Sequence, residues 1–228
     1  QSSIKSITIS ASVESMGSDV FLNAPNLTTV TFEEGSKLTE FADTMFSGAK
    51  NLTSITIPAS VTKINQEVFL NCTSLSKVIF ESGSKLTSIG IGAFYKASNL
   101  TSIIIPDSVT SIGEHAFSGA TGKPNNLSSI TFGYGSQLTN IPTASFQYLP
   151  NLKGIFIPPK VESIAEDAFW YGQLTIARIN VASLGKPGFP KYLGPKGVLG
   201  NYPPVINIIG YGILSGTGTL TQEMVVAG

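Results

Sequence analysis

Apolar positions recur along this chain in a template that returns seven times. From Leu52 it reads LTSITIPASVTKINQEVF, from Leu100 LTSIIIPDSVTSIGEHAF, and from Leu152 LKGIFIPPKVESIAEDAF. Each copy opens on L-x-x-[IV]-x-[IF], crosses 6 to 9 residues and closes on [IFM]-x-x-x-x-F. The opening alternates: Leu52, Ile55 and Ile57 point inward while Ser54 and Thr56 point out, the period of a half-buried β-strand. Pro58 ends that strand because it has no N–H to give a further ladder bond. Val61 and Ile64 predict a second inward-facing segment. Val68 and Phe69 follow on a stretch too short to stand alone, predicted as a helical or 3₁₀ segment on the outer side.

The turns begin at Ile4, Leu27, Leu52, Leu75, Leu100, Leu127 and Leu152, with a frayed one at Leu174. Their steps of 23, 25, 23, 25, 27, 25 and 22 residues lie in the roughly 20–29-residue window of leucine-rich repeats. A unit this short cannot bury its apolar face alone, so neighbouring turns must stack into a solenoid. The fold expected is an α/β repeat solenoid: a right-handed, curved leucine-rich-repeat array of short parallel strands with short helical or 3₁₀ outer segments. Two kinds of turn alternate. One continues with a proline and Ser-Val, as at Pro58, Ser60 and Val61 or Pro106, Ser108 and Val109. The other carries Gly-Ser-[Lys/Gln]-Leu, as at Gly35–Leu38, Gly83–Leu86 and Gly135–Leu138. One slot holds Phe21, Phe46, Phe69, Phe94, Phe117, Phe146 and Phe169, which predicts an aromatic spine.

Composition narrows the function. Of 228 residues 12% are charged, and the formal net charge is zero, so no basic surface invites nucleic acid. No apolar run approaches the roughly 18 residues of a membrane span. No signal peptide is visible and Gln1 already lies within the repeat pattern, so a mature or trimmed form is expected. The lone Cys72 sits in a slot filled elsewhere by Ala24, Ala49, Ala97 and Ala120, and is expected to be a small core residue. The lone His115 falls at a variable position expected to be exposed. With one His and one Cys no zinc-type cluster can form, so no metal and no cofactor is expected. Glu14, Glu67, Glu114, Glu162 and Glu166 fall about one per turn and do not converge, which argues against an enzyme.

The runs IPASVTKINQEVFLNC, Ile57 to Cys72, and IPDSVTSIGEHAFSGA, Ile105 to Ala120, resemble the BspA-like leucine-rich repeats of bacterial surface proteins and of surface proteins in some eukaryotic microbes. The resemblance spans about residues 4 to 180 and departs where Gly-Ser-Lys-Leu replaces Pro-x-Ser-Val. It implies a secreted or cell-surface adhesion or protein-binding solenoid, without naming its partner.

Residues 1–182 therefore read as the solenoid, and 183–228 as a Gly/Pro-rich cap or assembly extension. That tail holds three candidate strands, at Val205–Ile209, Ile213–Leu214 and Met224–Val226, with Tyr192, Tyr202 and Tyr211 suited to an interface. The outward strand positions predict two ladders on a concave face. Ser54, Lys77, Ser102 and Ser129 belong to the first; Thr56, Ile79, Ile104, Thr131 and Phe156 belong to the second. In the second, Ile79, Ile104 and Phe156 interrupt a row of hydroxyls, which marks a candidate recognition patch for a protein or glycan on another cell or matrix. The alternative is a structural subunit of an extracellular filament or surface layer that self-associates through the C-terminal extension. Asn26, Asn51, Asn71, Asn99 and Asn126 head sequons and are candidate glycosylation sites should the source be a eukaryote; the repeat alone also explains them, since Asn fills the turn before each strand.

Overall fold

The computed structural model describes residues 3–165 and 167–174, and the backbone of three later strands. The strands that open each turn are β1 (Ser6–Ile9), β2 (Thr29–Phe32), β4 (Ser54–Ile57), β6 (Lys77–Phe80), β8 (Ser102–Ile105), β10 (Ser129–Phe132) and β12 (Gly154–Phe156). Between them run two-residue strands β3 (Glu40–Phe41), β5 (Lys63–Ile64), β7 (Ser88–Ile89), β9 (Ser111–Ile112), β11 (Asn140–Ile141) and β13 (Ser163–Ile164). These realise the second inward segment. β3, β5, β7 and β9 form one parallel sheet, and β11 pairs β13 in the same sense. The Pro-x-Ser-Val serine helps bind this corner: Ser60 Oγ donates to the Leu38 carbonyl at 2.8 Å and Ser108 Oγ to that of Leu86 at 2.7 Å.

The strands that open the turns are hydrogen-bonded in twos. β1 pairs β2, β4 pairs β6 and β8 pairs β10, all parallel and without register slip. Across β2 and β4, β6 and β8, and β10 and β12 the strands lie side by side in separate sheets. Proline supplies the physical reason. Glu33 and Glu81, just past β2 and β6, donate their N–H to the carbonyls of Ile9 and Ile57. The same position in the alternate turns is Pro58 and Pro106, which cannot donate to the turn before. The two kinds of turn read in the sequence are thus the two members of each strand pair.

The outer segments depart from expectation: no helix occurs among the described residues. They are double turns that place residues in the left-handed region two positions before and two after the spine phenylalanine. Asp19 and Asn23, Thr44 and Gly48, Glu67 and Asn71, and Gly92 and Lys96 all have φ between 50° and 72°. A left-handed residue every fourth position prevents helix propagation. The backbone donors are then shared. The N–H of Phe21, Phe46, Phe69, Phe94 and Phe117 each donates to a carbonyl of the next turn, at 2.7–3.0 Å, while Ala24, Ala49 and Ala97 close i→i−3 bonds within their own turn. A helix would satisfy these groups internally; the double turn uses half of them to bind adjacent turns together.

The spine is present. Rings from Phe21 to Phe169 stack in sequence with centroids 5.1–5.6 Å apart. Cys72 is buried as expected, its Sγ donating to the Phe46 carbonyl at 3.1 Å. Burial pushes its thiol pKa up to about 12, so it stays protonated and inert. In the fifth turn the insert changes the slot: Ala120 is half-buried, bridges to Lys123, and buried Asn125 donates to the carbonyls of Phe117 and Ser118.

Beyond Leu174 strand pairing continues from β12. β14 (Ile176–Asn180) pairs parallel with β12, β15 (Asn207–Tyr211) parallel with β14, and β16 (Met224–Val226) antiparallel with β15. The expected segment at Ile213–Leu214, with Tyr192, Tyr202 and Glu166, lies outside the described residues.

Candidate functional site

Strand register builds the two ladders. Ser54 stands opposite Lys77 and Thr56 opposite Ile79; Ser102 stands opposite Ser129 and Ile104 opposite Thr131. Ser54, Thr56, Lys77, Ser102, Ser129 and Thr131 are all exposed, because the intervening Ile55, Val78, Ile103 and Ile130 take the core side of the pleat. Ile79 is 39% exposed and Ile104 69% exposed. β6 lies beside β8, so the two isoleucines face the same side of neighbouring strands. Phe156 is half-buried and extends the row on β12.

The structure adds three residues to this patch. Tyr134, 78% exposed, leans on Phe156 with ring centroids 4.9 Å apart. Its sequence signal is an aromatic ring in the turn slot that holds Glu34 and Ser82 in the equivalent turns. Glu81 and Asp107 join Lys77, Ile79 and Ile104 in lining an open groove of about 550 Å³ between the fourth and fifth turns. Its lining mixes Val78, Ile103, Phe80 and Pro106 with serines; Lys77 lies at the start of β6, and Glu81 and Asp107 lie past the strand ends.

The carboxylate positions obey a rule across the pairs. Glu33 accepts the Ala11 N–H at 2.9 Å, and Glu81 accepts that of Ala59 at 2.8 Å. In the third pair the acid has changed sides: Asp107 replaces the alanine and Gly133 replaces the glutamate. A Cβ added at Gly133 would stand 2.2 Å from Asp107 Oδ1. One carboxylate fits between each pair of turns, and the facing residue is small.

The other candidates are dispersed. Glu14, Glu114 and Glu162 are exposed and Glu67 half-buried, on four different turns. Among the described residues no group of three or more His, Cys, Asp or Glu is placed to hold a metal ion. His115 is half-buried rather than exposed, because Tyr95 of the preceding turn meets its ring edge-on at 6.0 Å. Of the sequon residues, Asn26, Asn51, Asn99 and Asn126 are exposed and Asn71 is half-buried at φ 57°. Asn51 donates through Nδ2 to the Pro25 carbonyl, bridging two turns as a turn-forming asparagine does.

Stacked parallel-strand turns with a leucine at the start of every turn after the first define a leucine-rich-repeat solenoid. The BspA type leucine-rich repeat family model matches residues 1–123 and 83–190 in 6 copies, and the chain belongs to that family. The pneumococcal vaccine antigen PcpA has a similar fold at TM-score 0.59 and 23% identity, over 84% of this chain and 47% of that one. The leucine-rich repeat protein TpLRR of T. pallidum is similar at TM-score 0.56 and 22% identity, over 65% of this chain and 67% of that one. The chain thus spans about half the length of the pneumococcal antigen chain. Comparison with curated protein sequences gives no significant match. Among the described residues no helix is long and apolar enough to cross a membrane.

Proposed function

We propose that the chain is a non-enzymatic binding or adhesion module of an extracellular or cell-surface protein, recognising a protein or glycan through its concave strand face. One observation carries this reading: exposed Ile79 and Ile104 stand on the neighbouring strands β6 and β8, in a row otherwise made of hydroxyls, and half-buried Phe156 on β12 carries exposed Tyr134 against its ring. A buried face would be apolar throughout and an indifferent solvated face polar throughout; an apolar strip rimmed by hydroxyls and charges has the make-up of a recognition surface. The concave position supports it, since there the strands present side chains from several turns to one ligand. The test displays arrayed proteins and glycans to the full chain and to an Ile79→Asp/Ile104→Asp variant of equal melting temperature. Ligands retained by wild type and lost by the variant support the concave face. Ligands retained equally by both refute it.

A second reading has its own support. Among the described residues the order β12–β14–β15–β16 makes β16 the last strand of the sheet, and an outer edge is a template for another chain. The protein would then be a structural subunit assembling through residues 183–228. Sedimentation velocity of the full chain over a concentration range separates the two: a persistent monomer removes the assembly reading, and concentration-dependent polymers place it first.

A further inference from the structure

The first turn exposes positions that later turns bury. Val20 is 46% exposed, whereas Met45, Val68, Ala93 and Ala116 in the same slot are 0% exposed. Val13 and Met16 are half-buried where Leu38 and Phe41 are fully buried. The strand at this end, β1, is hydrogen-bonded to β2 on one side and, among the described residues, to no strand on the other. We propose that this end is a homodimer surface, on which β1 pairs antiparallel with β1 of a second copy about a two-fold axis at Thr8. The pairing is independent of any ligand on the strand face.

The backbone assigns the free edge. The N–H groups of Thr29 and Glu33 donate to the carbonyls of Lys5 and Ile9, so those two residues turn their backbone groups toward β2. Backbone direction alternates along a strand, so Ser6, Thr8 and Ser10 present N–H and C=O to the open side. At Ser10 the first turn departs from its template. The same position in alternate later turns is Pro58, Pro106 and Pro158, each unable to donate to the turn before. Ser10 keeps an N–H there, and it has no partner among the described residues. Where β4 and β8 meet the preceding turn through a proline and without a ladder bond, β1 is equipped to bond.

The sequence selects a second copy as the occupant. Ser6-Ile7-Thr8-Ile9-Ser10 reads the same in both directions, and Ser10 in place of proline completes the palindrome. Antiparallel pairing about Thr8 sets Thr8 against Thr8 of the second copy, Ser6 against its Ser10 and Ile7 against its Ile9. Every outward residue then stands in a hydrogen-bonded pair that exchanges both bonds. The faces also match, isoleucine continuing the core side and hydroxyls the exposed side; a shift of one residue would reverse them. The apolar end meets its own copy, an isologous contact that covers Val13, Met16 and Val20. Charge agrees. Past the paired residues Lys5 of each copy comes to Ala11 of the other, whose N–H holds the Glu33 carboxylate at 2.9 Å, so opposite charges meet at both ends. A foreign strand needs only free backbone groups; the palindrome serves self-pairing alone.

Sedimentation velocity of the full chain from about 1 to 200 μM tests the proposal. The expected result is a monomer–dimer equilibrium that stops at the dimer, because a two-fold contact closes on itself. Ser10→Pro installs the residue of the template. Ser10, Pro58 and Pro106 each accept the N–H of the valine three residues on at 3.0 Å, so the turn is kept. The change removes one bond at each end of the pairing and should weaken dimerisation by about tenfold or more. Register is read by oxidation. Thr8→Cys places its Cα about 5.5 Å from its mate across the axis, within disulfide reach. Ser6→Cys leaves the two copies of that residue roughly 14 Å apart. Buried Cys72 does not compete. Thr8→Cys should link into a covalent dimer and Ser6→Cys should not. A monomer throughout the range, a dimer unaffected by Ser10→Pro, or equal cross-linking of the two cysteine variants overturns the proposal. So do polymers unaffected by Ser10→Pro, which would point to the β16 edge instead.

Discussion

Truncating Phe94 tests whether the aromatic spine holds neighbouring turns together. Phe94 is fully buried and stacks on Phe69 at 5.1 Å and on Phe117 at 5.2 Å. Phe94→Ala removes the ring from between two others and opens a cavity that turns fixed on both sides cannot collapse. Core Phe→Ala changes cost about 3–5 kcal/mol. Two aromatic contacts, each worth about 0.5–1.5 kcal/mol beyond burial, place this one near 4–5 kcal/mol. Phe21 is the internal control. It is 7% exposed and stacks on one spine ring, Phe46 at 5.3 Å, so Phe21→Ala should cost about 2–3 kcal/mol. In an array stabilised by nearest-neighbour contacts, a lesion at Phe94 also weakens coupling between the halves on either side. Urea unfolding followed by circular dichroism should show a lower midpoint for Phe94→Ala, with a broadened or two-step transition. Phe21→Ala should shift the midpoint less and leave the transition single. A cost below about 1.5 kcal/mol for Phe94→Ala, or equal costs at both positions, would refute the reasoning.

Three further outcomes are expected. Gly133→Glu should destabilise by about 1–3 kcal/mol through its contact with Asp107, and Asp107→Ala should be nearly neutral. The double variant should recover most of the loss by recreating the Glu33–Ala11 and Glu81–Ala59 arrangement, so a double-mutant cycle should give a coupling of at least about 1 kcal/mol. Cys72 should resist thiol reagents at pH 8 in the folded protein and react once unfolded. Because its folded pKa is raised from 9.0 to about 12, its contribution is complete below pH 9 and declines as pH rises toward 12, an alkaline loss that Cys72→Ala should remove from melting curves. Glu67→Gly should stabilise by about 0.5–1 kcal/mol, since φ is 54° there and the next turn already uses Gly92 at φ 59°; calorimetry reads the shift in melting temperature.

Repetition determined what could be read from the chain. The spine was legible because one phenylalanine slot recurs in every turn, and a residue buried in one copy is buried in all. The ladders were legible because period-two alternation fixes which side chains leave the core, and Thr56, Ile79 and Ile104 stand where it put them. The outer segments were misread because a short apolar stretch looks alike in a helical turn and a double turn. Asn23, Gly48 and Asn71, two residues after the phenylalanine, carried the left-handed signal. The pairing of concave strands in twos was written in Pro58 and Pro106, which alternate with the donors Glu33 and Glu81. What a template hides is the residue that departs from it. Tyr134 lies in a turn slot whose other copies are Glu34 and Ser82, so only its contact with Phe156 shows that it belongs to the face. Glu81 and Asp107 belong to different slots and line one groove only because adjacent turns stack. In a solenoid the repeated residues bind each turn to the next, and the next turn is the same everywhere. A foreign partner touches the array at one place, so its specificity must be carried by residues that differ from their counterparts in other turns. Ile79, Ile104, Asp107, Tyr134 and Phe156 all depart from the template within four consecutive turns, and that clustering argues for one recognition patch on this stretch of the sheet.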